Sequence, residues 1–348
     1  MNKIYILHEH GAPSHYRSLS VLAKRKCYEL AYYEFGNMRM QFKHWMLNPF
    51  KGRKFLLNLF FLMSLPFRKS SKIVVGIAPF DYKLYLLHVL LKKHQVYYHT
   101  SYTCWDGSFC AHDSFMSKYL LRLWKEFIKM QVQHVFAVSL KSKNELIRNG
   151  YSSSERISVV NHSYNVKIVP NQIQEKTNNF IYVGRLLPEK GIEELLFVFS
   201  KLSNANLMIV GKGPLQKCVE KYSSSYDNIK YMGYKENLSE IIPLYMENSF
   251  LLLNSHRTKS WEELFGMAII EGMSCGCVPI ATNHSGPLEI IENDMSGFIC
   301  LEGEIEDAII KALSLTNEEY NVIRHNTIKL GQQYGSEEMA NRWEAIGI

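Results

Sequence analysis

Apolar and polar positions along this chain follow two periods that take turns. Short apolar runs read as buried strands at 3–7 (KIYIL), 28–35, 73–78, 95–100, 134–139 and 157–161. Between them lie longer amphipathic stretches that read as helices: from Ser14, a candidate cap, to Lys26, then 82–93, 115–130 and 141–149. Residues 162–179 (HSYNVKIVPNQIQEKTNN) interrupt the rhythm with polar and turn-forming residues and read as a linker. The alternation then resumes, with strands at 180–183, 207–210, 229–232, 250–254, 278–282 and 297–301. Helices are expected near 191–202, 214–223, 237–246, 266–275, 304–315 and 317–333, with a short last one capped by Ser336. Strand and helix in strict alternation predict a mostly parallel sheet covered on both faces. Two such series predict two domains, 1–165 and 166–330, with a C-terminal helix at 331–348 returning toward the first. They also imply a cleft between the domains, with ligands at the carboxyl ends of the strands.

Bulk properties narrow the setting. A chain of 348 residues, 47% hydrophobic and 21% charged, is long enough for two folded domains that each bury a core. Seven cysteines, an odd number with no CxxC pair, do not form a disulfide framework and point to a reducing, cytoplasmic compartment. The N-terminus enters a strand-like run directly, without the pattern of a secretory leader. Segment 55–67 (FLLNLFFLMSLPF) is too short to span a bilayer and is flanked by Lys51, Arg53 and Lys54 on one side, and Arg68, Lys69 and Lys72 on the other. It reads either as a helix lying in a membrane interface against anionic headgroups or as a core helix with solvated basic ends. Residues 1–165 hold 24 Lys/Arg against 9 Asp/Glu, a net +15, whereas the remainder holds 16 against 24, a net −8. Such asymmetry points to a polyanionic partner for the first half. Lipophilic residues among the cations, and the lack of a nucleic-acid motif, favour the inner membrane surface over nucleic acid.

Candidate chemistry gathers in loops that follow strands. Glu263 and Glu271 lie eight positions apart, roughly 80° apart on a continuous helix. They make better sense on a loop carrying Glu263 and a helix, opened by Gly266, carrying Glu271. A loop feeding a helix start presents free N–H groups and the positive end of a dipole, which suits a diphosphate. Gly184-Arg-Leu-Leu-Pro-Glu-Lys-Gly191 places Arg185 and Lys190 on a strand-to-helix loop, where two cations can grip the same kind of anion. Gly211-Lys-Gly213-Pro214 and Gly286-Pro-Leu-Glu289 mark further tight turns, open to a ligand's approach. Trp105-Asp106-Gly107 offers an aromatic face and a carboxylate suited to an acceptor sugar. His8, Glu9, His10 and His15 have metal-ligand spacing but read more simply as a surface loop. There is no Asp-x-Asp sequence.

In order, GRLLPEKG, GKGPL, ELFGMAIIEGMSCGCVPIAT, SGPLEII and SGFI resemble the retaining glycosyltransferases of family 4 (glycosyl transferases group 1), strongly over 180–300 and more faintly at 134–139 and 150–161. The resemblance implies a GT-B fold: two Rossmann-like parallel-sheet domains facing an inter-domain cleft. The first domain would bind the acceptor and the second the nucleotide-sugar donor. It implies that Arg185 and Lys190 hold the donor diphosphate, that Glu263 meets hydroxyls of the transferred sugar, and that Glu271 meets the ribose. Phe265, Gly266 and Met267 would meet sugar and phosphate through their backbone, with Gly184, Gly211 and Gly213 lining the donor. His99 matches a histidine near the transferred sugar. Gly11, which would let the donor phosphate approach, stands where the family often has a glycine pair, but Ala12 and Pro13 follow it here, and Pro13 lacks an N–H. The implied reaction needs no cofactor or divalent metal. A sugar, expected from UDP, would pass with retention to a glycan acceptor on a polyprenyl diphosphate, in bacterial surface-polysaccharide or O-antigen synthesis, on the inner face of the cytoplasmic membrane. A nucleotide-sugar epimerase of the same fold and a non-catalytic nucleotide-sugar-binding scaffold are the rival readings.

Overall fold

The computed structural model describes residues 2–9, 12–34, 46, 53–107, 115–170, 173–258 and 261–348. The chain divides into two compact units: Met1–His162 together with Ser336–Ile348, and Ser163–Gly335.

The first unit is built on six parallel strands: β1 (Asn2–His8), β2 (Tyr28–Glu34), β3 (Lys72–Gly76), β4 (Gln95–Thr100), β5 (Val132–Ala137) and β6 (Ile157–Val159). Their order is β2-β1-β3-β4-β5-β6. The chain steps outward from β1 to β2 and then returns to the other side of β1, so the topological switch lies between β1 and β3. Alternate residues serve opposite faces, as the period-two geometry of a strand requires. Leu7, Ile73, Val75, Val96 and Tyr98 pack under helices carrying Phe61, Leu84, Leu87 and Trp124. Ile4, Ile6, Val74, Tyr97 and Phe136 pack under Leu19 and Leu22 and under the C-terminal residues Trp343 and Ile346. That C-terminal segment is held in place by Trp343 Nε1, which donates to Ser18 Oγ at 2.9 Å, and by Tyr97 Oη, which donates to the Ile346 carbonyl at 2.9 Å.

Helix Arg53–Ser64 has two apolar sides. Phe55, Phe61 and Leu62 are buried, with Leu65 just beyond, while Leu56, Leu57, Phe60, Met63 and Phe67 face outward, Phe60 at 70% and Phe67 at 89% exposure. The segment is therefore a core helix on its inward side and an exposed apolar surface on its outward side.

The second unit repeats the plan with β7 (Asn179–Val183), β8 (Asn206–Val210), β9 (Ile229–Tyr231), β10 (Phe250–Leu253), β11 (Val278–Thr282) and β12 (Phe298–Cys300), in the order β12-β11-β10-β7-β8-β9. β10 and β11 are buried throughout, as strands covered on both faces must be. The switch lies between β7 and β10, where Phe250 pairs with Phe180.

Several local expectations are corrected. Ser14 caps nothing: Pro13–Tyr16 forms a 3-10 turn, and helix Arg17–Arg25 starts without a side-chain cap. Ser336 is the first residue of helix Ser336–Met339 rather than its cap. The turn at Gly286 is a short helix, Ser285–Ile290. Helix Phe115–Glu126 ends in a wider π-type turn, Phe127–Gln131, before β5. The stretch taken for a linker is fastened to the second unit over 174–177. There Lys176 Nζ donates to the carbonyls of Leu313 and Leu315 at 2.7 and 2.9 Å, and Thr177 N–H donates to Ser249 Oγ at 2.8 Å. Its polar residues serve as bolts, which composition alone does not distinguish from slack.

Candidate active site

In the second unit the side chains of two distant motifs meet across the switch point. After β7 the chain runs through Gly184 and Arg185 into a 3-10 turn, Pro188–Lys190, and Gly191 then leads into helix Ile192–Lys201. The turn swings Lys190 inward to 8% exposure. Its ammonium donates to Glu263 Oε2, and the indole of Trp261 lies 4.7 Å from the same nitrogen. Ser255 Oγ, from the loop after β10, donates to Glu263 Oε2 at 3.3 Å. A cation, a carboxylate, a hydroxyl and an aromatic face thus converge where the sheet's loops diverge. Arg185 is exposed, and its backbone is fixed by Tyr182 Oη donating to its carbonyl at 2.8 Å. Sequence reasoning missed Trp261 and Ser255, although an aromatic directly before a Glu pair was a usable signal.

Glu263 is held by its own peptide groups. The imidazole of fully buried His284 accepts the Glu263 N–H through Nδ1 at 3.0 Å, and Gly286 N–H donates to the Glu263 carbonyl at 3.0 Å. Because Nδ1 accepts, the ring proton sits on Nε2, which donates to the Ser255 carbonyl at 2.8 Å. Burial holds the His284 pKa below its usual value, helped by Arg257 and opposed by the Ser255 carbonyl, Glu302 and Glu262. Around it, Arg257 Nη1 pairs with Glu302 Oε1 at 2.8 Å, and His256 Nε2 lies 2.8 Å from Glu194 Oε2.

Gly266 precedes helix Met267–Cys275, which carries Met267 at its first position and Glu271 one turn on. Phe265 is buried beside Tyr334, their rings 6.0 Å apart. The half-buried Glu271 adds its charge to the burial that raises Tyr245 well above the usual tyrosine pKa.

Two glycines read as openings for a ligand have a different physical reason. A Cβ at Gly211 would sit 1.8 Å from the Gly184 carbonyl oxygen, and one at Gly213 would sit 2.4 Å from that of Leu186. The partner that approaches so closely is the Arg185 loop itself, whose Leu186 N–H donates to the Lys212 carbonyl at 3.0 Å.

In the first unit His99 ends β4, 4% exposed, with its ring against Tyr16 at 4.9 Å and Trp343 at 5.4 Å. Its Nε2 is buried without a hydrogen-bond partner among the described residues. Burial lowers its pKa well below the usual histidine value, and the same cause takes His162 down to about 3. A cavity of about 190 Å³ lies at the carboxyl ends of β1, β3 and β4, bounded by His8, Glu9, His15, Ala78, His99 and Tyr102. Gly11 and His10 lie outside the described residues. Glu9 Oε1 accepts from the Ala78 N–H at 2.9 Å, a structural use of a residue considered for a metal.

Trp105 corrects the reading of an open aromatic face. It is 1% exposed, its ring lies 5.0 Å from Tyr151 and 6.0 Å from Phe80, and its Nε1 donates to the Tyr102 carbonyl. The exposed Asp106 beside it lines an open pocket of about 470 Å³ with an edge of Trp105 and with Arg122, Lys125 and Lys129.

The chain is similar to several known proteins. The N-acetyl-alpha-D-glucosaminyl L-malate synthase of Bacillus anthracis is 24% identical over 59% of this chain. The lipopolysaccharide 1,6-galactosyltransferase of Escherichia coli K12 is 31% identical over 52% of it. The matches span 62% and 51% of those relatives' own lengths. The Anabaena protein HepE, solved in complex with UDP, superposes with a TM-score of 0.69 over 98% of both chains at 16% identity. That likeness shows the fold, the GT-B pair of parallel sheets. Residues 165–330, which hold Arg185, Lys190, Glu263 and Glu271, match the family described as "Glycosyl transferases group 1".

Proposed function

We propose that this protein is a retaining glycosyltransferase of family 4 type, moving a hexosyl or N-acetylhexosaminyl group from a nucleotide sugar to a hydroxyl of a glycan. The observation that carries the reading is the meeting of Lys190 and Glu263 across the β7/β10 switch point, within the residues that match the family. Arg185, Lys190 and the N–H groups opening helix Met267–Cys275 stabilise negative charge as it grows on the departing diphosphate. Glu263 holds hydroxyls of the transferred sugar, and Glu271 holds the ribose. The acceptor attacks from the face the diphosphate leaves, and a leaving phosphate oxygen takes its proton, so no carboxylate nucleophile at the anomeric carbon is required. His99 is proposed to meet a hydroxyl of the transferred sugar, and its neutral ring can exchange hydrogen bonds with that hydroxyl without attracting the diphosphate. Gly11 and Asp106 keep their donor and acceptor assignments in this reading.

UDP is the proposed nucleotide, supported by the UDP bound to the Anabaena protein of the same fold. The acceptor is proposed to be lipid-linked, at an anionic membrane surface in surface-polysaccharide assembly. The relative named as a lipopolysaccharide galactosyltransferase and the outward apolar side of helix Arg53–Ser64 support this. Among the described residues no helix is long and apolar enough to cross a membrane. A thermal-shift and turnover screen across UDP-, GDP- and ADP-sugars tests the donor, because a ligand bound only by the folded state raises its melting temperature. A UDP-sugar is expected to stabilise and to be consumed only with acceptor present. Conversion of the donor alone, followed by proton NMR, would instead establish the epimerase reading.

A further inference from the structure

We propose that His284 is a positioning residue for Glu263, fixing the carboxylate's backbone so that it faces Lys190 and the transferred sugar. The inference rests on the glycosyltransferase reading but concerns a residue that reading does not use. His284 follows β11, while Glu263 lies on the loop after β10, so their contact joins two loops that the sequence separates by about twenty residues. The ring makes both of its hydrogen bonds inward: Nδ1 accepts from the Glu263 N–H at 3.0 Å, and Nε2–H donates to the Ser255 carbonyl at 2.8 Å. Ser255 in turn donates its hydroxyl to Glu263 Oε2 at 3.3 Å. A single buried imidazole therefore sets both the peptide that carries the carboxylate and the residue whose hydroxyl touches it.

The clamp is completed from the same segment. Gly286 N–H takes the Glu263 carbonyl, and a Cβ at Gly286 would stand 2.3 Å from the Phe265 carbonyl oxygen. Both peptide groups of Glu263 are thus gripped by the chain following β11, one of them through a side chain. That side-chain link needs a bare Nδ1, since a ring protonated at both nitrogens would set N–H against N–H. Glu302, 3.1 Å from Nε2, favours the tautomer with its proton on that side. Losing the acceptor at Nδ1 frees the Glu263 N–H and lets the carboxylate drift. A displacement on that scale costs turnover far more than it costs nucleotide binding.

The test compares three variants of the whole protein: H284N, whose Oδ1 can replace Nδ1 as the acceptor; H284Q, which reaches only toward the Nε2 partner; and H284L, which offers neither. For H284L and H284Q we expect kcat/KM for the nucleotide sugar to fall about tenfold or more while the Kd for UDP stays within about threefold. We also expect faster hydrogen exchange in the peptide containing Glu263. H284N should recover most of the turnover and the protection. If H284L does not fold, the contrast between H284N and H284Q carries the same information. Wild-type turnover in H284L or H284Q, or an H284N that protects the amide yet is as slow as the others, overturns the positioning role alone. A wild-type protein that turns over no nucleotide sugar, with any acceptor, removes the transferase reading and this inference with it.

Discussion

Lys190 occupies its place because a three-residue turn, Pro188–Lys190, tucks a lysine inward ahead of a helix. Its motif and that of Glu263 were each legible in the sequence, and their side chains do meet. Trp261, Ser255 and His284 were not, because their value comes from loops that only the parallel sheet brings together. We expect Lys190→Ala to lower kcat/KM by roughly a hundredfold, and Arg185→Ala by about tenfold, without unfolding the chain. Unchanged turnover in both purified variants would remove the diphosphate clamp. The buried histidines make a second prediction at this scale. His15, His99 and His162 are all held below the ordinary histidine value by burial. The unfolded chain therefore takes up protons near pH 6.5 that the fold refuses, so stability is complete above that pH and declines as pH falls toward about 3, the His162 value. Urea midpoints measured between pH 7 and 5 should fall accordingly, and a flat profile would mean that these imidazoles are hydrated.

Strands and long helices were legible as elements because each carries its own pattern, a short unbroken apolar run for β10 or a 3.6-residue period for Asn317–Gln332. Boundaries and short pieces were less so. Ser14 carries the right chemistry for a cap, but the Pro13 turn moves the helix start beyond its reach. By contrast, Thr316 does cap its helix: its Oγ1 accepts from the Glu319 N–H at 3.2 Å, and Glu319 returns the bond to the Thr316 N–H at 2.8 Å. Thr316→Ala should therefore cost about 1 kcal/mol. The C-terminal 3-10 segment Ala340–Ile346 tests a larger quantity, because Trp343 is fully buried against Phe136 at 4.4 Å and against Tyr16. Trp343→Ala is expected to destabilise by about 3–5 kcal/mol. A loss below about 1 kcal/mol would mean that this segment is not part of the first unit's core.

For the whole molecule, the two-sheet plan was legible from the alternation of strand and helix, and the charge asymmetry followed from counting. What counting could not supply is which residues of the lipophilic segment stay outside. With a net +15 over residues 1–165 and exposed Phe60 and Phe67, binding to anionic vesicles should be strong at low salt. It should weaken steeply once the screening length drops below about 10 Å. Neutral vesicles should bind weakly. Co-sedimentation across a salt series measures both, and no binding to anionic vesicles at low salt would remove the membrane reading.

The return of Ser336–Ile348 to the first unit has a consequence for how the protein is made. A ribosome completes the whole second unit before it delivers Trp343 and Ile346 to the core that holds Leu19 and Leu22. The part begun first is therefore finished last, and until then the apolar face over Ile4, Ile6 and Val74 is covered only in part, by Leu19 and Leu22. A nascent chain stalled near residue 335 would present a folded back half and a front half still in need of a chaperone.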